Sequence, residues 1–423
     1  MARIVGQRAG PLGSGCETGP VGDVTVVIVG AGPAGLVLGH LLQRAGVPFV
    51  IVERRRRADV GGPPKAGMVE HRTVELLRAE GIGDVDVHFT VENGLVEFRT
   101  PGSSMLLDYG ARTGDRPHYV YPQHVLVEAL CAALLARGAD IRFGCRVRSV
   151  DSLGVSAAVH YDDEHDIARR LDADVVVGCD GARSMVVGAL TDARTTEVEL
   201  PVRWLAMIAA AAPLVPHSVY SAHPHGFAGQ MRRGPEQTRY YLEVPRVDTI
   251  ADWPPGRARA ELEERLGVPG RLADVRLGDM TLVDLRVRVT EPMQQGPLFV
   301  AGDAAHLVTP AGGKGMNLAI RDAVELAHGI IERVGGHGAR LAAYSTTRLA
   351  DIWRTQAFSY WFLGILIANR DAASFAASPG LPLFAARTRD GWVSALQHDP
   401  LLATWFAHAY AGADPVEAPD RRG

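Results

Sequence analysis

Val26-Val27-Ile28-Val29 runs straight into Gly30-Ala31-Gly32-Pro33-Ala34-Gly35, and Leu36 to Ala45 follows with helical apolar spacing. No other feature restricts the fold as much, because a buried strand, a glycine turn and a helix in that order form one half of a βαβ unit. The turn needs glycines where a pyrophosphate must come close to backbone N–H groups at the helix start, since the free N–H groups and the helix dipole both favour an anion. A second apolar run, Phe49 to Val52, ends at Glu53, 18 residues beyond Gly35, near the spacing at which an acid accepts hydrogen bonds from a ribose. The pattern predicts dinucleotide binding by Gly30, Gly32, Gly35 and Glu53, and it suits FAD and NAD alike.

Composition narrows the partners. The 423 residues carry 44 basic and 48 acidic side chains, a net charge of −4, so no overall field draws nucleic acid or an anionic membrane. The expected partner is a small molecule. Cys16, Cys131, Cys145 and Cys179 form no CxxC pair and have no histidine-rich surroundings, which argues against zinc, iron–sulfur and disulfide frameworks and fits a reducing cytoplasm. Residues 1–23 are glycine-rich and lack the apolar core of a signal peptide, so they are expected to be a disordered leader. The apolar stretches are too short to span a bilayer.

Two further stretches favour a long cofactor. "ADVVVGCDGARSMV" (173–186) and "GPLFVAGDAAHLVTPAGGKGMNLAIRDAVELA" (296–327) each carry a strand into a turn bearing an acid, Asp180 and Asp303. Ligands of open α/β sheets bind at that end of the strands. A cofactor confined to one local unit gains nothing from carboxylates so far apart, whereas one with a ribityl chain does. The glycine-rich entry Pro310 to Asn317, with Lys314, Gly315 and Asn317 opening a helix, offers N–H groups and a cation that would stabilise negative charge on a reduced flavin.

The trio GAGPAG, GCDGARS and AGDAAHLVTPAGGKGMN, with "HPHGFA", "RYYLEVP" and "EPMQQGPLFVAGDAAH", resembles the FAD-dependent aromatic hydroxylases, the class A flavoprotein monooxygenases, and within them the branch acting on 4-hydroxybenzoate. The resemblance runs from about residue 24 to about 415. It implies one noncovalent FAD held by Gly30, Gly32, Gly35, Glu53, Gln123 and Asp303, with Asp180 serving both the flavin and the approach of NADPH or NADH, which visits as a transient co-substrate. Arg54 and the arginines after it occupy the segment that reads the 2′-phosphate in this family, and Arg183 and Arg286 match positions near the nicotinamide path. The family has arginine where this chain has Lys65 and Pro63. The implied reaction reduces the flavin, adds O2 to give a flavin hydroperoxide, and hydroxylates a ring carbon beside a phenol hydroxyl.

Residues 226–245 read as a hairpin turning at 234–237. Period-two alternation puts Met231 and Arg233 on one face of its first strand and Arg239, Tyr241 and Glu243 on one face of its second. If those faces coincide, the wall suits a carboxylate; the alternative is an internal pair between Arg233 and Glu243. The resemblance implies Arg233 and Tyr241 as carboxylate ligands, Arg239 as a flavin-stacking group, the Pro310 carbonyl beside the substrate hydroxyl, and Tyr410 in a proton chain. It also shows departures. The family's serine ligand becomes Met231, the tyrosine taking the phenol proton becomes Leu200, and the histidine ending the chain falls near Asn93. A substituted 4-hydroxybenzoate such as 3-amino-4-hydroxybenzoate is therefore expected as substrate, for a monomer or homodimer. A flavin oxidase or reductase that inserts no oxygen, and a non-catalytic flavoprotein, are the alternatives.

The expected architecture is α/β plus β. A Rossmann-like FAD domain comprises 24–195 and 285–345, a β-sheet substrate domain 196–284, and a helical segment 346–423.

Overall fold

A computed structural model describes residues 25–62, 67–82, 90–367 and 381–412. The expected leader lies outside them. Val26–Val29 is buried along its whole length, and it sits mid-sheet because a strand apolar on both faces must be covered on both. The sheet has the strand order Gln294–Gln295, Leu298–Val300, Val175–Gly178, Val26–Val29, Phe49–Val52, Asp140–Arg142, all parallel except the first, which is antiparallel at the edge. The three cofactor stretches thus share one sheet, and their turns emerge at the same end. Helix Pro33–Arg44 packs against helices Gln123–Ala136 and Gly315–Val334. Proline at its first position costs nothing, because that N–H has no intrahelical partner. A three-stranded antiparallel meander of Arg146–Ser152, Ala157–Asp162 and Ala168–Ala173 lies beside this sheet.

The second sheet has eight strands in the order His306–Leu307, Leu277–Glu291, Arg194–Ala209, Gln237–Pro245, Gly226–Gly234, Ser218–His223, Leu95–Thr100, Ser103–Asp108. Here the structure departs from the boundaries read in the sequence. The hairpin Leu95–Asp108, placed there in the cofactor domain, extends the substrate sheet through parallel pairing of Ser218–Ser221 with Val96–Arg99. Strands Arg194–Ala209 and Leu277–Glu291 also run straight through the divisions at 196 and 284, since their ladder is continuous from Arg194↔Glu291 to Ala209↔Leu277 apart from two bulges. Sequence patterning marks where strands occur but not which edge a hairpin joins.

The sheet's two faces have different covers. Leu205, Met207, Tyr240 and Leu242 pack under helix Pro255–Leu266. Leu200, Val202, Trp204, Ala206 and Tyr241 face the other way, into a cluster with Phe358 and Phe362 of helix Ala339–Leu366 and Phe406 and Tyr410 of helix Pro400–Ala411. The last helix is capped by the Asp399 side chain, which accepts from Leu401 and Leu402 N–H, and it ends at left-handed Gly412. Tyr410 is thereby fixed in its final turn. Among the described residues no helix is long and apolar enough to cross a membrane.

Candidate active site

A groove of about 690 Å³ opens where the turns after Val29, Val52, Gly178 and Ala301 converge. Gly30, Gly32, Glu53, Arg54, Gln123, Asp180, Arg183 and Asp303 all line it. The glycines do different work. A Cβ on Gly35 would lie 2.0 Å from Gly30 O, so Gly35 lets the helix close onto its own loop. A Cβ on Gly32 would meet only Cys179 O, at 3.9 Å, so the space before Gly32 belongs to the groove rather than to packing. The Glu53 carboxylate accepts from Ala31 N at 2.7 Å and from Arg55 N at 2.8 Å, fixing the glycine loop as well as facing the groove. Asp180 accepts from Met185 N at 2.7 Å through one oxygen. Its other oxygen is buried without a hydrogen-bond partner among the described residues, and burial raises its pKa. A buried acceptor facing a groove fits a ligand that donates hydrogen bonds, as ribityl and ribose hydroxyls do. The shape and lining of the groove therefore suit a long dinucleotide.

Other expected cofactor ligands sit elsewhere. Lys65 lies outside the described residues, as does Pro63. The Lys314 ammonium, read as a cation offered to a flavin, is buried and donates to Glu70 Oε1 and to Tyr410 O, both at 2.7 Å. Burial works against the Glu70 charge, but Lys314, Arg72 and Arg321 outweigh it and hold that carboxyl well below its usual range. Lys314 is thus neutralised by a partner the sequence did not point to, with Gly412 leaving room for the Glu70 carboxylate. Asn317 spends its side chain on the loop: its oxygen accepts from Glu70 N, and its amide donates to Met68 O and Gly313 O. Gly315 opens helix Gly315–Val334 next to Met316, which does line the groove. Arg286 pairs with Glu197 at 3.4 Å, away from the groove.

The hairpin places the expected substrate groups on one face. Gly229 lies opposite Tyr241 and Met231 opposite Arg239, with a bulge between Arg232 and Gly234. The Arg239 guanidinium stands 5.3 Å over the Tyr241 ring, so the aromatic face it stacks on in this structure is that of Tyr241. Arg233 is buried, and burial together with the like charge of Arg239 pulls its pKa down to about 10, against the Tyr241 phenol. Its field also reaches His124, next to groove-lining Gln123. Glu243, the alternative partner considered for Arg233, accepts from Phe227 N at 3.0 Å, and its carbonyl accepts from Arg265. Leu200 is buried in the same apolar cluster as Tyr241 and Tyr410. Pro310 O accepts from Gly313 N at 3.1 Å, closing the turn that faces this cluster. Tyr410 OH lies 3.3 Å from Tyr220 OH. Asn93, expected near the end of the proton chain, is exposed and caps its own turn by accepting from Leu95 N. The buried neighbour is Glu92.

Besides Glu70, two groups that shape the site escaped sequence reasoning. Asp322 accepts from His306 Nε2 at 2.6 Å, Arg348 Nε at 2.7 Å and Gly302 N at 3.0 Å, binding the Asp303 turn to two helices. His306 and Arg348 hold its carboxyl well below the ordinary range although burial opposes them. An acid between Leu318 and Leu326 on the buried stripe of helix Gly315–Val334 was the available signal. Arg288 donates to Ala182 O at 2.5 Å and Asp303 O at 2.7 Å, joining the two acid-bearing turns.

A family model described as FAD binding domain matches residues 23–359. The p-hydroxybenzoate hydroxylase of Acinetobacter baylyi is 31% identical over 354 residues, covering 81% of this chain and 85% of that protein. The 3-(3-hydroxy-phenyl)propionate/3-hydroxycinnamic acid hydroxylase of Mycolicibacterium gilvum is 30% identical over 342 residues, 78% of this chain and 55% of that longer protein. Among solved structures, p-nitrophenol 4-monooxygenase from Pseudomonas putida superposes with a TM-score of 0.77 at 20% identity, covering 93% of this chain and all (100%) of the other. Aklavinone-11 hydroxylase, solved with FAD and aklavinone, superposes with a TM-score of 0.71 at 24% identity, covering 85% and 72%.

Proposed function

Because the chain belongs to the FAD-dependent aromatic hydroxylases, we propose that it hydroxylates a one-ring aromatic acid of the 4-hydroxybenzoate type beside its phenol hydroxyl. Bound FAD, reduced by NAD(P)H, supplies the activated oxygen atom. The chain's own residues do the rest. Gly30, Gly32 and the start of helix Pro33–Arg44 receive the pyrophosphate, Glu53 and Asp180 accept from its sugar and ribityl hydroxyls, and Arg54 meets the visiting nicotinamide cofactor. Asp303, Gln123 and Gly315 complete the cradle, with Lys314 and Asn317 holding its loop in place from behind.

One observation carries the substrate reading: two buried arginines, Arg233 and Arg239, stand close enough beside Tyr241 for the Arg239 charge to act on Arg233. A substrate carboxylate eases that like-charge repulsion by bringing an opposite charge to the two guanidinium groups. Beside Tyr241, Trp204 packs on Phe227 and Tyr241 with ring centroids 4.6 and 5.2 Å away, and Phe227 on Tyr220 at 6.1 Å, so this wall is aromatic. Leu200 and Met231 cannot hydrogen-bond a ring substituent as hydroxyl side chains would. A substrate bearing its own electron donor, such as 3-amino-4-hydroxybenzoate, suits this wall better than plain 4-hydroxybenzoate.

The deciding experiment screens hydroxy- and aminobenzoates for NAD(P)H oxidation, with product mass as second readout. A gain of one oxygen on a carboxylated phenol is expected. Substrate-dependent NAD(P)H oxidation with desaturation or no product would replace this reading with an oxidase or reductase. No substrate-dependent oxidation at all would replace it with a non-catalytic flavoprotein.

A further inference from the structure

The stretch His223-Pro224-His225-Gly226 brings two histidines to a turn that neither the cofactor groove nor the substrate wall uses. It is the tight turn of the hairpin joining strands Ser218–His223 and Gly226–Gly234, closed by the pairing of His223 with Gly226. Proline fixes one backbone angle of so short a turn, and the His225 N–H donates to His223 Nδ1 at 3.2 Å, so the His225 ring is carried on a rigid support. Facing it is the final part of helix Pro255–Leu266, where Glu261 and Glu264, three residues apart, share one side. His225 Nδ1 lies 3.3 Å from Glu264 Oε1. One nitrogen or oxygen from each of His225, Glu261 and Glu264 falls within 4.8 Å of the other two.

We propose that His225, Glu261 and Glu264 form a binding site for a divalent first-row transition ion such as zinc. A tetrahedral ion with bonds of about 2.0–2.2 Å to nitrogen and oxygen holds its ligand atoms about 3.4 Å apart. His225 and Glu264 already have that separation. Rotation of the Glu261 side chain brings in the third ligand. Three protein ligands leave a fourth position, and His225 also lines a second cavity of about 440 Å³, with Glu243, Trp253, Arg257 and Arg265, through which water or a small anion reaches it. The spacing of the cysteines argues only against thiolate sites. Imidazole with carboxylates is a different donor set, which suits zinc, cobalt or nickel, whereas calcium and magnesium want more oxygen ligands than this site offers.

The charges around the site fit a bound cation. Acids at the carboxyl end of a helix oppose its dipole, which favours positive charge there. This helix has three in its closing turns, Glu261, Glu263 and Glu264. Glu263 serves the loop that follows, accepting from Gly270 N at 3.0 Å and Leu272 N at 2.7 Å. The Glu264 carboxylate pairs only with His225 among the described residues. Arg265 competes, since its Nε and Nη2 both stand 2.8 Å from Glu261 Oε2. It is buried and also donates to Glu243 O at 2.8 Å, so it stays on the inner side of the helix and takes one Glu261 oxygen, leaving the other for a metal. Two carboxylates and one guanidinium leave a single negative charge, which holds a divalent ion weakly by charge alone, so the imidazole bond decides which ions bind. A bound ion ties the hairpin turn to the helix, at the far end of the strand that carries Met231 and Arg233.

Calorimetric titration of zinc chloride into the chelator-washed, FAD-bound full chain, carrying no affinity tag, tests this. One zinc per chain should bind and raise the midpoint of thermal unfolding. Cobalt should compete for the site, and an excess of calcium or magnesium should not. His225→Ala, Glu261→Gln and Glu264→Gln should each weaken zinc binding at least about 10-fold, a loss that removing even the outer partners of metal ligands causes. His165→Ala is the control, because His165 stands 3.8 Å from Glu164 in an exposed pair that has no third ligand among the described residues, and it should keep the parental affinity. His225 is exposed, so metal-free His225→Ala should unfold at the parent's temperature, which separates a lost ligand from a damaged fold. A parent that binds no zinc stoichiometrically, an affinity unchanged in His225→Ala and Glu264→Gln, or an equal loss in His165→Ala overturns the proposal. The result is independent of the substrate, since neither the groove nor the arginine wall supplies a ligand.

Discussion

Gly32 and Gly35 belong to one loop, yet alanine at each should fail for opposite reasons. Gly32 has φ −80° and ψ −177°, a conformation any residue adopts, and a Cβ there touches only Cys179 O at 3.9 Å. In the FAD-free protein Gly32→Ala should therefore change stability by no more than about 0.5 kcal/mol, the usual range for a site without packing conflict. The new methyl does intrude on the space where we place the pyrophosphate. If that intrusion costs what overpacking generally costs, about 1–3 kcal/mol, the Kd for FAD rises about 5- to 150-fold, at tenfold per 1.4 kcal/mol. Gly35→Ala reverses the pattern. Its Cβ, 2.0 Å from Gly30 O and 3.2 Å from the Ile28 side chain, forces the helix off its loop in the absence of any ligand. The same 1–3 kcal/mol then appears as lost apoprotein stability. Urea unfolding of the apoproteins and fluorescence titration with FAD separate the two. A Gly32→Ala protein with parental FAD affinity, or one whose apo form is as destabilised as Gly35→Ala, refutes the assignment of that space to the cofactor.

Further expectations follow from the substrate face and the buried ion pairs. Arg233→Met should raise KM for benzoates about 10- to 150-fold, the equivalent of the roughly 1.5–3 kcal/mol of a hydrogen bond to a charged group, and should leave decarboxylated analogues little affected; equal losses for both would show that Arg233 serves the fold. Leu200→Tyr should shift the kcat/KM ratio toward unsubstituted 4-hydroxybenzoate over its 3-amino derivative, and an unchanged ratio would count against Leu200 facing the ring. Lys314→Met leaves the Glu70 carboxylate buried without its ammonium and should cost about 3–5 kcal/mol, read by thermal or urea unfolding of the FAD-bound and FAD-free protein. For Glu92 the native pKa of about 7 exceeds the ordinary 4.5, so its contribution to stability is full below pH 4.5, is lost between 4.5 and 7, and stays lost above. Glu92→Gln should then be the more stable protein at pH 8, by up to about 3 kcal/mol at 1.36 kcal/mol per pKa unit, with the advantage gone near pH 4; the same stability difference at both pH values would remove the burial argument.

The cofactor sheet could be read from the chain because its central strands are short apolar runs ending in a glycine turn or, for Phe49–Val52, in Glu53, so type and position are encoded locally. The assignment of strands to the second sheet could not. Leu95–Asp108 and His306–Leu307 have the same local appearance wherever they pair, and their edges are chosen by long-range packing. Site residues divide in the same way. Gly32, Glu53 and Asp180 announce themselves by spacing from a strand end. Glu70 and Asp322, which set the charge of Lys314 and the position of the Asp303 turn, are single acids in ordinary helical or loop contexts, and their partners lie 244 and 26 residues away.

The proton chain shows why matching residues to a family one by one loses information. Along 91–94 burial alternates: Val91 and Asn93 are exposed, Glu92 and Gly94 buried. A shift of one position therefore changes an exposed turn residue into a buried carboxyl. An exposed amide at 93 suggests a broken relay, whereas the buried acid at 92 keeps an ionisable group where the chain implied by the resemblance ends. The two descriptions predict different enzymes. With the relay broken, ionisation of the substrate depends on solvent, and the reaction favours rings activated by an amino group. If Glu92 instead ends the chain that the resemblance implies, an ordinary phenol is ionised above about pH 7, and the choice of substrate falls to the walls at Leu200, Met231 and Arg233. The pH at which activity appears then reports on Glu92, and the identity of the best substrate reports on those walls, so measuring both on one panel decides which of the two enzymes this chain is.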